Sequence, residues 1–226
     1  MQFNENNKAR ILIVDDHAVV RQGIAMLVNQ EPDLQACCEA SDIPEALMAN
    51  RLCSHDLAIV DLSLAEMSGL ELVKRMQAEF PVLPILVMSM HDETVYAEPA
   101  LRAGAHGYLM KQAATETMLK AIRQILEGEL YVSDQIRSRL LKSLRGSVTE
   151  TSPTNRLSPS EFEVLHLIGL GLGTSEISKK LNRSVKTIES HRANIKKKLN
   201  LKNGNELTHY AINLASSTSK NELGSH

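Results

Sequence analysis

Residues 9–23 read ARILIVDDHAVVRQG. The apolar run Ile11 to Val14 is too short for a helix and stops on two carboxylates, Asp15 and Asp16; Val19, Ile24, Leu27 and Val28 then follow at roughly helical spacing. A short, unbroken apolar run suits a parallel strand covered on both faces. The pattern repeats along the chain, with strands expected at Leu34–Cys38, Leu57–Val60, Ile85–Met88 and Gly107–Met110. Helical patterns lie between and after them: Ala46 and Leu47; Leu70, Leu72, Val73 and Met76; Leu119, Ile122, Ile125 and Leu126. Five such units predict an α/β domain with a doubly wound five-stranded parallel sheet. Open parallel sheets bind ligands at the carboxyl ends of their strands. The residues that end the strands are therefore the candidates: Asp15 and Asp16, Asp61, Ser89 and Lys111.

The 226 residues suffice for two domains with a core in each. No apolar block is long enough to span a membrane and no charged-then-apolar leader opens the chain, so a soluble, cytoplasmic protein is expected. Charge divides near Pro153: residues 1–152 hold 14 Lys and Arg against 21 Asp and Glu, whereas residues 153–226 hold 11 against 6. An acidic front and a basic rear point nucleic acid to the rear. The three cysteines, Cys37, Cys38 and Cys53, show neither a disulfide framework nor zinc spacing. Strand alternation would aim Cys37 and Cys38 at opposite faces, and all three read as small apolar fillers. His55 and His106 carry no usable signal, and His17 and His91 read as loop or cap residues.

After the sheet domain, SDQIRSRLLKSLRG places Ile136, Leu140, Leu141 and Leu144 on one helical stripe. GSVTETSPTN then reads as a flexible tether, whose ten residues would span about 18 Å root-mean-square as a free coil. From Leu157 the pattern is helical throughout. Ser158 as N-cap, Pro159 at the first position and Glu161 three residues on form a capping box, and the helix stops at Gly171 and Gly173. Helices are expected at Thr174–Leu181, Val185–Leu199 and from Gly204 to about Ala215, with a tight turn at NRS. The expected division is a domain at 8–128, a linker at 129–155, a second domain at 156–216 and a tail at 217–226.

Carboxylates gathered without a charge partner repel, so a cluster of them calls for a cation. Oxygen-only ligands suit Mg²⁺, which keeps several waters and takes one or two carboxylates. A lone Asp at a strand end is ordinarily a turn former or helix cap; five polar groups in order on one rim are not explained that way. ILIVDDH, DLAIVDLSLAEMSGLEL, ILVMSMHDE and AGAHGYLMK resemble the receiver domain of two-component response regulators over residues 10–128. The resemblance implies that Asp61 accepts a phosphoryl group from a sensor histidine kinase. It implies that Asp15, Asp16, Asp61 and the backbone carbonyl of Ser63 hold Mg²⁺, with Asp16 a direct ligand. Ser89 and Lys111 would bind the phosphoryl oxygens, and Tyr108 would be the aromatic that turns inward on activation. Two departures stand out: Leu64 and Ala65 replace the usual Met-Pro, and Pro99 falls in the fourth helix, which is therefore expected to start late.

LSPSEFEVLHLIGLGLGTSEISKKLNRSVKTIESHRANIKKKLNLKN resembles the LuxR/NarL/FixJ class of four-helix, helix-turn-helix DNA-binding domains, the match spanning about Leu157 to Leu214. Ile188, His191, Ile195 and Leu199 are spaced to face the core. The resemblance places Glu189, Ser190 and Ala193 near base edges and Lys186, Thr187 and Arg192 near the backbone; Lys196 and Lys197 suit phosphate steering. Together these resemblances imply a phosphorylation-controlled transcription regulator, not an enzyme. Its expected partners are a sensor histidine kinase, double-stranded DNA, RNA polymerase and a second copy of the chain, with no membrane partner. A regulator working without phosphorylation is the alternative. A haloacid-dehalogenase-like aspartyl-phosphate phosphatase is disfavoured, because Ser63 stands where its second acid would be.

Overall fold

The computed structural model describes residues 8–64, 69–144, 153–181 and 183–219. The chain divides into two compact units, Met1–Leu141 and Lys142–His226.

In the first unit, β1 (Ala9–Val14), β2 (Leu34–Ala40), β3 (Leu57–Asp61), β4 (Ile85–Ser89) and β5 (Gly107–Met110) form one parallel sheet ordered β2-β1-β3-β4-β5. Strands β3 and β4 lie inside the sheet and are buried along their whole length, which accounts for their unbroken apolar sequence. Helices α1 (Ala18–Asn29), α2 (Ile43–Leu52), α3 (Gly69–Glu79), α4 (Glu93–Ala103) and α5 (Thr115–Leu126) connect or follow the strands. Ile11, Ile13, Ile59, Leu86 and Met88 pack with Ile24 and Val28 of α1 and Ile122 and Ile125 of α5. Val19, assigned to this apolar face by spacing, is instead 83% exposed, because α1 turns Ile24, Ala25 and Val28 inward.

Helix α4 does not start late. It begins at Glu93, capped by the Asp92 side chain on the Thr94 N–H, and carries Pro99 in its interior. The cap sets the start, and the helix continues through a residue that has no N–H to donate. It ends at Gly104 with φ of +108°, a left-handed conformation that glycine adopts without the strain a Cβ would bring.

Helix α6 (Asp134–Leu144) follows β5 and α5. Tyr131 makes a parallel bridge to Gly107, so the chain before α6 lies along the free edge of β5. Ile136 is buried, but Leu141 is 54% exposed, so the expected stripe is covered only in part. Most of the expected tether lies outside the described residues; its last part, Pro153–Arg156, forms a 3-10 turn.

In the second unit, α7 (Pro159–Gly169), α8 (Thr174–Lys180), α9 (Val185–Leu199) and α10 (Gly204–Ser219) surround a core of Val164, Leu165, Ile168, Ile177, Ile188, Ile195 and Leu207. The capping box at Ser158 and Glu161 forms, with Ser158 N–H donating to Glu161 Oε2 at 2.7 Å and Glu161 N–H to Ser158 Oγ at 3.3 Å. Of the NRS turn, Asn182 lies outside the described residues.

Candidate functional site

The sheet brings the expected strand terminators to one rim. Asp15 and Asp16 follow β1, Asp61 closes β3, Ser89 closes β4, and Lys111 follows β5, its N–H donating to the Ser89 carbonyl at 2.8 Å. One carboxylate oxygen each from Asp15, Asp16 and Asp61 and a ring nitrogen of His17 lie within 4.8 Å of one another. Asp15, Asp61 and Ser89 are buried. Lys111 Nζ bridges two acids, 2.6 Å from Asp15 Oδ2 and 2.8 Å from Asp61 Oδ2. Burial pushes the Asp61 carboxyl above its ordinary range, and the Lys111 ammonium pulls it only part of the way back. Burial alone would lower Lys111, but Asp15 and Asp61 outweigh it and hold its proton more tightly than usual.

Asp61 Oδ1 is buried and has no hydrogen-bond donor in good geometry among the described residues, although the Ser63 backbone lies near enough to lower the carboxyl's pKa. A buried carboxylate oxygen without a donor is costly, and beside two further acids it is what a hard cation would relieve. The residues therefore fit Mg²⁺. His17 occupies the N-cap position of α1, with Nδ1 2.7 Å from Asp16 Oδ1, and its backbone N–H donates to Asp15 Oδ1 at 2.9 Å. Arg21 donates to the Asp15 carbonyl at 2.6 Å and so fixes the turn that presents the paired acids.

Two contributors at this rim escape the sequence reading. Gly69 opens α3 with its N–H donating to Leu62 O at 2.9 Å. A Cβ there would lie 2.1 Å from the Asp61 carbonyl oxygen, so only glycine lets α3 abut this backbone. His91, set aside as a loop residue, is a junction. Its N–H donates to Ser89 Oγ at 3.1 Å, its carbonyl accepts from the Tyr108 hydroxyl at 2.8 Å, its Nε2 meets Ser63 Oγ at 3.1 Å, and its ring stacks on Tyr96 at 4.6 Å. No spacing in the sequence signals either role. Tyr108 is already inside the fold, 1% exposed, and burial pushes its hydroxyl pKa well up. From α4, Glu93 Oε1 accepts from Ser133 Oγ at 2.6 Å and the Thr94 carbonyl accepts from Arg139 at 2.8 Å, so α4 holds the start of α6.

In the second unit, Ile188 and Ile195 are buried, Leu199 packs beside them and His191 is half-buried, its pKa lowered first by burial. Lys186, Glu189, Ser190, Ala193 and Lys197 are exposed, and Thr187, Arg192 and Lys196 are partly so. Two hydroxyls are engaged within the helix: Ser190 Oγ donates to Lys186 O at 3.0 Å, and Thr187 Oγ1 lies 2.8 Å from Ser184 Oγ. Lys198 turns away from this group and pairs with the buried Glu161 at 2.6 Å.

A flavodoxin-like sheet with an acidic rim, joined to a helix-turn-helix unit, has the architecture of a receiver followed by a DNA reader. The response regulator receiver domain family matches residues 11–123, and the bacterial regulatory proteins, luxR family, match residues 155–211. The chain is 38% identical over 209 residues to the oxygen regulatory protein NreC of Staphylococcus aureus (strain JH9), covering 90% of this chain and 96% of the relative. RcsB of Salmonella enterica serovar Typhimurium, solved bound to promoter rprA in the presence of phosphomimetic BeF3−, shares 30% identity at a TM-score of 0.60 over 91% of this chain and 98% of that one. A LuxR-family response regulator from Aurantimonas sp. SI85-9A1 shares 31% identity at a TM-score of 0.57, covering 62% of this chain and 99% of that one. The chain belongs to the LuxR-type family of two-component response regulators. Among the described residues, no helix is long and apolar enough to cross a membrane.

Proposed function

We propose that this response regulator accepts a phosphoryl group on Asp61 from a sensor histidine kinase and, in response, regulates transcription through α9 on double-stranded DNA. The observation that carries the reading is the rim itself, where buried Asp61 and Asp15 share Lys111 beside a third acid, Asp16. Asp15, Asp16, Asp61 and the Ser63 carbonyl would hold Mg²⁺. When bound, the ion would neutralise charge on the phosphoryl oxygens, the main requirement of phosphoryl transfer. An Asp61 oxygen attacks phosphorus, the bond to the donor imidazole breaks, and that imidazole leaves with its electron pair. Lys111 moves from the free carboxylate to a phosphoryl oxygen, and Ser89 donates its hydroxyl to another. The transfer happens once per chain without turnover, so the protein is not an enzyme.

In the DNA-binding unit, Glu189, Ser190 and Ala193 would approach base edges, while Lys186, Thr187, Arg192, Lys196 and Lys197 would contact or steer to phosphates. Two copies on a two-half-site operator would suit the basic rear unit. Incubation of the full chain with Mg²⁺ and radiolabelled acetyl phosphate tests the phosphoryl site. Labelling is expected on wild type and not on Asp61→Asn; equal labelling of both overturns the assignment. Binding to DNA selected from a random pool, compared with and without phosphorylation, tests the control.

A further inference from the structure

Cys37 and Cys38 gather with His55 where β3 begins, whereas Asp61 closes that strand at its other end. In the β1–β2 ladder Ile11 pairs with Ala36 and Leu12 with Cys38, which leaves Cys37 as the extra residue of a bulge. Regular alternation would turn Cys37 and Cys38 to opposite faces. The bulge cancels it: both Sγ atoms and a His55 ring nitrogen lie within 4.8 Å of one another. Cys53, the C-cap of α2, is near enough for its thiol to help raise that of Cys38, but its Sγ lies outside this 4.8 Å group. All three cysteines are half-buried, and Cys37 and Cys38 meet at one point with His55 rather than acting as the separate apolar fillers expected from the sequence.

His55 supplies an independent observation. Its Nδ1 lies 2.7 Å from Asn50 Oδ1, which can only accept, so Nδ1 carries the ring proton and Nε2 keeps a lone pair. Nε2 is buried and has no hydrogen-bond partner among the described residues. A histidine oriented through one nitrogen by an oxygen, with the other bare, is arranged as metal-ligating histidines are.

We propose that Cys37, Cys38 and His55 bind one Zn²⁺ as a structural site, with Cys53 moving in as the fourth ligand. Three sulfurs and one imidazole are a known closed donor set for this ion. With Zn–S near 2.3 Å and Zn–N near 2.0 Å, tetrahedral ligand atoms sit about 3.5–3.8 Å apart, so Cys37, Cys38 and His55 close by up to about 1 Å and Cys53 by more. Mg²⁺ prefers the oxygen rim and does not compete for thiolates. Burial and the neighbouring thiols push Cys38 up to about 11, so it enters as a thiol and gives its proton to water as the ion binds. Three thiolates and a neutral imidazole leave the loaded site with one negative charge, and the Arg10 guanidinium, against Cys37 and Cys53, opposes it. The ion would tie the edge strand β2 to the end of α2 and the start of β3.

The test uses the untagged full chain, reduced, loaded with Zn²⁺ in excess Mg²⁺, desalted and analysed for metal by mass spectrometry. One zinc per chain is expected. Co²⁺ in its place should give a thiolate charge-transfer band and the strong visible absorption of a tetrahedral site. Cys38→Ser and His55→Gln should weaken zinc binding by about tenfold or more, and Asn50→Ala by about 10–100-fold, while Asp61→Asn leaves it unchanged. Circular dichroism establishes folding, and Cys53→Ser replaces any variant that does not fold. A reduced, folded wild type that retains no zinc overturns the proposal, as does zinc retained by the cysteine variants or lost with Asp61→Asn.

Discussion

Replacing Gly69 by alanine sets two opposed effects against each other at the Asp61 backbone. In an open helical position alanine is better than glycine by about 0.5–1 kcal/mol. At Gly69, however, the new Cβ would lie 2.1 Å from the Asp61 carbonyl oxygen and 2.5 Å from Leu62 Cα. Neither is the end of a flexible side chain, so α3 must withdraw from β3 by about 1 Å to restore contact distance. Overpacking of this kind costs about 1–3 kcal/mol, and withdrawal weakens the Gly69 N–H to Leu62 O bond, worth about 0.5–1.5 kcal/mol. The expected net loss is about 1–3 kcal/mol in the urea unfolding transition of the receiver. Phosphorylation should suffer more than stability, because a misplacement of about 1 Å at a reacting group can cost about 100-fold in rate. Gly23→Ala is the control: it lies within α1 with nothing inside 4 Å of its added Cβ, and should stabilise by about 0.5–1 kcal/mol. A Gly69→Ala chain as stable as Gly23→Ala, labelled by acetyl phosphate at the wild-type rate, would refute the close-approach argument.

Three shorter predictions concern other parts of the chain. Burial raises the Glu161 carboxyl, but Lys198 and the Ser158 groups outweigh it and leave its pKa below 4.5. Its contribution is therefore complete above the unfolded value near 4.5 and lost as pH falls through the folded one; Glu161→Gln should remove that acid limb from denaturant titrations of the second unit. Lys197→Ala should weaken DNA binding about equally for all sequences and lower the salt slope by about one, measured by fluorescence anisotropy; an unchanged slope would remove Lys197 from the phosphate contacts. Pro99→Ala restores an interior donor to α4 and should raise receiver stability, by up to about 3 kcal/mol, in urea unfolding; no gain would mean that α4 has adapted to the ring.

The fold was legible because a buried parallel strand leaves a strong mark. Ile11–Val14, Leu57–Val60 and Ile85–Met88 admit few other readings, and their terminators follow from the rule on strand ends. Capping chemistry was equally readable at Ser158 and Glu161, where both halves of the box are local. What stayed hidden depends on distant parts of the chain meeting. Gly69 matters only because the Asp61 carbonyl stands behind it, and the bulge at Cys37 is a property of two strands in register. Pro99 misled for a related reason: the Asp92 cap starts α4 upstream whatever the proline costs later.

The position of His91 shows how an event at the rim can reach the linker through few groups. Ser89 and Ser63, on either side of Asp61, both bond to His91, and its carbonyl holds the inward Tyr108 hydroxyl. Its ring lies on buried Tyr96 of α4, and the first turn of α4 holds Ser133 and Arg139 at the start of α6. Under the proposed function, a phosphoryl group that draws Ser89 toward itself displaces the acceptor of the His91 N–H. The β4–α4 turn must then weaken that bond or move with Ser89, a change worth about 0.5–1.5 kcal/mol. That overlaps the coupling free energies of known allosteric proteins, about 1–3 kcal/mol. A helix weakened at Pro99 yields to such a bias more readily than an unbroken one, and the proline and the linker contacts lie on that same helix.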